Sequence, residues 1–416
     1  MKAKTAMQTR ASFLLGSVSG LTVVAKNGDF FGRALAQAPL SGLTGPADDR
    51  VLVLINLQGG NDGLNCVVPY SMPQYYRYRP TLGVAQNDVL RLNEQVGLNP
   101  NMKSFKAMFD KGQVAVIQGV GYPKPDHSHF RSQEIWQTAD PDGYSATGWI
   151  GRYLDVANLP KENLFNAVAV SPVLPELFGS RTVDVPAVDG NLRGYGLNSD
   201  RRAGGAAAFR SMLSDSAQPF SSPYLGKVAE IETNAQRGSE ELPKLVAGYQ
   251  TDAQYPATIL GRSLALAAQM AGSQIGTRVI YVAHGSFDTH TNQKATQNRL
   301  LEQFSDAVAA FYSDLAAHGN DKRVLTMTFS EFGRRVAENA SGGTDHGEAA
   351  PVFLIGGGVK GGVYANHPSL DDLDNGDIKY TTDFRSVYAT VIERWLGRPS
   401  QGIIAGNFPS LPIIAA

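Results

Sequence analysis

Apolar residues along the chain gather into five short continuous runs, each closed by polar or glycine-rich residues. They span residues 51–57, 114–119, 279–283, 324–329 and 352–355. Runs this short, rich in Val and Ile and without alternation, predict strands buried on both faces. Between them lie stretches with helical spacing, at residues 102–110, 259–270, 292–317 and 384–396. The third puts Leu300, Leu301, Phe304, Val308 and Phe311 on one face, and the fourth does the same with Val387, Val391 and Trp395. Strands alternating with helices predict an α/β fold, with a mostly parallel central sheet and helices on both faces.

Residues 151–257 break this pattern. They are rich in Gly, Pro, Ser and Asn, with helical pieces near 206–213 and 224–235. The expectation is a single domain over residues 39–416, carrying this stretch as a long insertion or cap. No repeat at solenoid spacing is present.

Composition narrows the function. The 416 residues are 43% hydrophobic and 18% charged, with a formal net charge of −1. That balance suits a globular protein with a sizeable core and excludes a disordered one. No basic block follows residue 50, so a nucleic-acid partner is not expected. The single cysteine, Cys66, rules out an intrachain disulfide and a cysteine-based zinc knuckle. No run after residue 40 reaches the ~20 apolar residues of a membrane span.

The first residues read as an export segment. Lys2, Lys4 and Arg10 precede a mildly apolar run at 11–24, and small-x-small cleavage candidates end at Ala36 and Ala38. Thr9-Arg10-Ala11-Ser12-Phe13-Leu14-Leu15 is similar to a twin-arginine motif, with Ala11 where the second arginine belongs. Residues 1–38 are therefore expected to be a signal handled by the export machinery, leaving a periplasmic or secreted protein. A surface helix is the plainer alternative.

In a parallel sheet, ligands bind beyond the carboxyl ends of the strands. Five of the seven histidines fall in loops there: His127, His129, His284, His290 and His346. After the first strand comes Gly59-Gly60-Asn61-Asp62-Gly63, where Asp62 offers a hard oxygen, although Asn-Asp-Gly is also a common turn. After the second comes Asp126-His127-Ser128-His129-Phe130. Ser128 stands at a predicted helix start, where free amides favour an anion, and where a plain N-cap would also sit. Asp288-Thr289-His290 follows the third strand and can turn an oxygen and an imidazole toward one metal. Ser330-Glu331-Phe332-Gly333-Arg334 follows the fourth. Glu331 could serve as ligand or base and Arg334 as a clamp on an anionic group, or the two could form an ion pair. Asp345-His346-Gly347-Glu348 leads into the fifth run and opens on the same edge. His318 and His367 fall outside this grouping and read as surface residues.

These stretches, in this order, resemble a bacterial secreted family known as domain of unknown function 1501. The similarity rests on residues 57–65, Ser128-His129-Phe130, Phe287-Asp288-Thr289-His290, residues 330–334, Gly343-Thr344-Asp345-His346-Gly347 and residues 382–388, and runs from about 50 to 397. That family in turn resembles the alkaline phosphatase and sulfatase superfamily. The resemblance implies one or two divalent ions (zinc, calcium or magnesium) and a Ser, Thr or modified Cys as nucleophile. It places Asp62, Asp288, His290 and His346 as metal ligands and Ser128 in the nucleophile region. One departure stands out. Relatives often end the fourth strand in Asp-His-Gly, whereas this chain has Glu331-Phe332-Gly333, and Phe332 cannot bind metal. His129 could substitute for the missing ligand, or Asp345-His346 could supply the pair in another register.

The expected function is therefore an exported, metal-supported hydrolase of a small-molecule or glycan ester of phosphate or sulfate. Ser128, His129, Glu331 and Arg334 are its expected catalytic residues. The rival is a binding or assembly protein that keeps the fold without turnover.

Overall fold

A computed structural model describes residues 49–190 apart from 161, residues 241–415 apart from 274, and also Leu21, Thr22 and Gly238. The expected helical pieces near 206–213 and 224–235 lie outside the described residues, as do the export motif and both cleavage candidates.

The five apolar runs all become strands. They are β1 (Val51–Leu57), β2 (Val114–Gly121), β5 (Val279–His284), β6 (Val324–Phe329) and β7 (Ala350–Gly356). Two further strands, β3 (Ala167–Val170) and β4 (Ala187–Val188), extend the same sheet. A short strand β8 (Gly362–Tyr364) closes the other edge, and the order is β4-β3-β5-β1-β6-β7-β2-β8. Leu21–Thr22 pairs antiparallel with β4 at the outer edge. The five expected strands are thus consecutive neighbours. β1 runs parallel to β6 with Val51 opposite Val324, and parallel to β5 with Leu52 opposite Val279.

β7 is the exception to the parallel arrangement, antiparallel to both β6 and β2. This has a direct consequence for the site. A reversed strand presents its entry, not its exit, at the edge where its neighbours end. The loop before β7, with Asp345 and His346, therefore opens beside the loops that follow β1, β2, β5 and β6.

The side-chain period of two splits each buried strand between two cores. Val51, Val53, Ile55 and Leu57 face one apolar cluster, and Leu52 and Leu54 the other. The first is covered by α1 (Lys103–Asp110), α4 (Ile259–Gly272) and α5 (Gln293–Ala317). The second is covered by α2 (His129–Thr138), α3 (Trp149–Val156) and α6 (Phe384–Thr390), which continues as a wider π-helical turn, Val391–Trp395. The predicted α/β architecture holds.

One expectation is corrected. The stretch 151–257 is not wholly an insertion, because β3 and β4 lie within the central sheet. With four and two residues, they are too short to stand out as apolar runs in a Gly- and Pro-rich background. Among the described residues, no helix is long and apolar enough to cross a membrane.

Candidate metal centre

Asp288 is the hub of the strand-end cluster. Its Oδ1 lies 3.0 Å from His290 Nε2 and 3.3 Å from His346 Nε2, and its Oδ2 lies 3.4 Å from His129 Nε2. The two rings at Oδ1 also meet each other, with His290 Nε2 3.0 Å from His346 Nε2. Ligand atoms of His129, Asp288 and His346 all lie within 4.8 Å of one another. The Asp288 side chain is 46% exposed, so the cluster opens to solvent.

Each imidazole is anchored through its other nitrogen. His129 Nδ1 sits 2.9 Å from Glu331 Oε1, His290 Nδ1 3.1 Å from Asp345 Oδ1, and His346 Nδ1 2.7 Å from the His127 carbonyl. Those three partners are acceptors, so each Nδ1 carries the proton. In the neutral ring that leaves Nε2 as a bare lone pair. Three lone pairs and a carboxylate then converge; Arg334 Nη2 donates to Asp288 Oδ1, but no donor stands between the His290 and His346 rings. An acceptor–acceptor approach of 3.0 Å between His290 and His346 calls for a cation or a proton between them. The contacts of 3.0–3.4 Å also match neighbouring donors around a small divalent ion, about 3.4 Å for a tetrahedral zinc site. The residues present therefore fit a metal ion.

The anchors have their own supports. Glu331 is buried and also accepts the Gly59 N–H at 2.8 Å. Asn339 Nδ2 donates to Asp345 Oδ1 at 3.2 Å and to the His290 carbonyl at 3.1 Å. Gly59 has φ +112°, and a Cβ there would stand 2.4 Å from the Asp288 nitrogen. Only glycine lets these two loops approach so closely. Phe332 is buried, with its ring centroid 4.4 Å from that of His346 and 4.9 Å from that of His129. The residue that cannot bind metal thus packs against two rings that can.

Electrostatics follow from these contacts. Partial burial works to raise the Asp288 pKa, but Arg334, His346 and His129 outweigh it and hold it down at about 2. The Glu331 hydrogen bond raises the His129 pKa against partial burial. Burial lowers that of His346, with the nearby Arg334 adding to the effect. The His290 hydrogen bond lowers that of Asp345.

The structure brings together His129, Asp288, His290, Glu331 and His346. It does not bring Asp62 into the cluster. Asp62 is buried, caps a short helix through the Leu64 N–H at 3.2 Å, and accepts from Arg79 Nη1 and Gln293 Nε2. Its oxygens are already committed, so the expectation of a metal ligand there is corrected. Arg334 is also placed differently. Its guanidinium is fully buried and donates to Asp288 Oδ1 at 2.7 Å, to the Gly60, Thr344 and Phe287 carbonyls at 2.8–3.1 Å, and to the Gly59 carbonyl. It ties the segments at 59–60, 287–288 and 344 to its own and orients Asp288, so the contacts it makes here are to protein groups.

Ser128 is the N-cap residue of α2, is exposed, and makes no side-chain cap hydrogen bond. It stands between His127, whose carbonyl supports His346, and His129, whose ring is in the cluster. His284 is not part of the site. It is buried against Phe287 with Nε2 2.9 Å from the Leu300 carbonyl, and burial pushes its pKa down to about 4. Asp345, which the sequence offered only as half of an alternative ligand pair with His346, is instead the anchor of the His290 ring. Its position directly before His346 was the available signal.

Comparison with known proteins places these features in context. No curated protein matches the chain. It is similar to the Zn complex of the C-terminal periplasmic domain of EcEptC from Escherichia coli, at 11% identity and a TM-score of 0.34, over 74% of this chain and 72% of that one. It is similar to the lipoteichoic acid synthase LtaP from Listeria monocytogenes, at 11% identity and a TM-score of 0.40, over 94% and 79%. A third similarity is to the phosphonate monoester hydrolase of Agrobacterium radiobacter, at 11% identity and a TM-score of 0.37, over 84% and 74%. The family profile that matches covers Asp288, His290, Glu331 and His346, while Asp62, Ser128 and His129 lie before it. Matched over residues 190–397, half of its length, the chain belongs to the family described as Protein of unknown function (DUF1501).

Proposed function

We propose that this chain is a metal-supported hydrolase of a phosphate or sulfate ester, acting outside the cytoplasm once residues 1–38 are removed. One observation carries the reading. The Nε2 lone pairs of His129, His290 and His346 converge with the Asp288 carboxylate at the carboxyl edge of the sheet. Imidazoles whose Nδ1–H is held by a carboxylate or carbonyl are the usual form of metal-ligating histidine.

His129, Asp288, His290 and His346 would hold the ion. When bound, it would polarise the ester and stabilise charge developing on the transferred group. The chain supplies the rest. Glu331 and Asp345 fix the tautomers and tilt of His129 and His290. Arg334 holds Asp288 ionised and in place. Phe332 keeps water from one side of the rings.

Ser128 is the proposed nucleophile. Its side chain is exposed and stands directly before His129, at the start of the ten-residue helix α2, whose amides favour negative charge. Its Oγ would bond to phosphorus or sulfur, giving up its proton to water, as the bond to the ester oxygen breaks and the alcohol leaves with a proton from water; a second water would then cleave the Oγ bond, freeing the acid and restoring the hydroxyl.

One observation favours the rival reading, a binding protein without turnover. The Arg334 guanidinium is spent on protein partners and offers nothing to the oxygens of an anionic ester. Elemental analysis of the purified chain, paired with a screen of phosphate and sulfate esters, separates the two. Stoichiometric metal with ester turnover supports the hydrolase. Metal without turnover, or no full occupancy with any divalent ion, supports the binding protein. N-terminal sequencing of protein from the native host tests cleavage after Ala36 or Ala38.

A further inference from the structure

We propose a second divalent-cation site, separate from the Asp288 cluster, formed by His127, Glu348 and Asp377. Asp377 begins the short strand Asp377–Ile378, paired with Leu373–Asp374 in a hairpin. Glu348 lies in the loop leading into β7, and His127 in the loop after β2. Ligand atoms of the three residues lie within 4.8 Å of one another.

The observation that points to a ligand is the state of Asp377. Its side chain is 1% exposed, yet neither carboxylate oxygen has a hydrogen-bond partner. A buried carboxylate without partners is among the most unfavourable arrangements in a protein interior. The nearest cationic groups stand off, with His127 Nε2 at 3.6 Å and an Arg335 nitrogen at 3.8 Å from Oδ2. Arg335 is partly engaged elsewhere, donating to the Asn375 carbonyl at 2.8 Å. Asp374 adds another negative charge nearby, felt by both Glu348 and Asp377. Three carboxylates against one arginine leave the pocket negative, and a divalent ion would both neutralise it and fill the empty valences of Asp377.

The donor set is two carboxylates and one imidazole, which suits Zn2+ or Mn2+ over Ca2+, because calcium sites take oxygen ligands almost throughout. The site is coupled to the other through one residue. The His127 imidazole would face this ion, while its carbonyl anchors His346 at 2.7 Å. Neither site needs the other to form, so this inference does not rest on the hydrolase reading.

The test is equilibrium dialysis of the full chain against Zn2+ alone, with bound metal counted by elemental analysis. Wild type should bind two ions per chain, and Asp377→Asn and His290→Ala one each. The Zn2+-dependent rise in Tm should shrink in Asp377→Asn. The metal-free Tm should not fall, since the variant removes an unpaired buried charge. If Asp377→Asn does not fold, His127→Gln, at a side chain 42% exposed, should show the same loss of one ion. The proposal is overturned if these variants bind as much Zn2+ as wild type, or if every ion they lose is also lost by His290→Ala. If one ion is lost with Asp377→Asn but kept in His290→Ala, the second site stands whether or not the Asp288 cluster binds metal.

Discussion

His290 Nε2 and His346 Nε2 face each other at 3.0 Å, while each ring's Nδ1 is held by a separate acceptor. Two histidines 56 positions apart meet because one follows β5 and the other precedes the reversed strand β7. Neither ring can turn to relieve the contact without losing its Nδ1 partner. The pair is therefore set to share an ion or a proton, and its anchors become testable.

Asp345 grips His290 from outside the cluster. Asp345→Ala should leave the fold intact and weaken metal binding by about 10–100-fold, the usual effect of removing a ligand's orienting partner. Competition with a chelator of known affinity checks this. Unchanged affinity would show that Asn339 and the backbone alone hold the ring.

Arg334 should matter for stability first. Arg334→Met strands the carbonyls of Gly59, Gly60, Phe287 and Thr344 and leaves Asp288 without its guanidinium. Buried hydrogen bonds to a charged group are worth about 1.5–3 kcal/mol each, so a loss of about 3 kcal/mol or more is expected. Urea unfolding measures it. A substrate clamp would instead raise KM with stability unchanged.

Ser128→Ala separates chemistry from metal binding. The side chain is exposed and makes no cap bond, so stability and metal content should stay as in wild type. Ester turnover should fall at least about a hundredfold if Ser128 is the nucleophile. Retained turnover would move that role to another group or to water.

Cys66 should be chemically silent. Burial pushes its thiol pKa up to about 12, and its Sγ lies 3.9 Å from Met102 Sδ. The folded pKa lies above the unfolded one, so the neutral thiol persists in the native state as pH rises past the ordinary cysteine range. The associated stability is complete below the unfolded pKa and is lost as pH climbs toward the folded value. A thiol reagent at pH 8 should label the chain only after unfolding. Labelling of native protein would show that the loop after β1 opens.

The sheet was legible in the amino-acid order because burial on both faces forces unbroken apolar runs, and each such run became a strand. The long helices were legible for the matching reason, since one buried face imposes a 3.6-residue period. β3 and β4 were not, because two to four residues carry too little pattern to rise above a Gly- and Pro-rich stretch. Histidines and acids in the loops after β1, β2, β5 and β6 could likewise be found in one dimension, since parallel strands send their exits to one edge; Asp345 and His346 reach it only because β7 is reversed.

Which of those residues would share a site was decided only in three dimensions. Asp62 and Asp288 look alike in sequence, each beside a turn after a strand. The fold buries Asp62 against Arg79 and Gln293 and leaves Asp288 open among three imidazoles. Arg334 and Arg335 are neighbours in the chain, yet one is sealed among carbonyls and the other reaches toward Asp377. Sequence alone set the types of donors and the edge where they gather, because those follow from periodicity and strand direction. Tertiary structure alone decided which donors were already satisfied, because hydrogen-bond partners come from segments tens to hundreds of residues away.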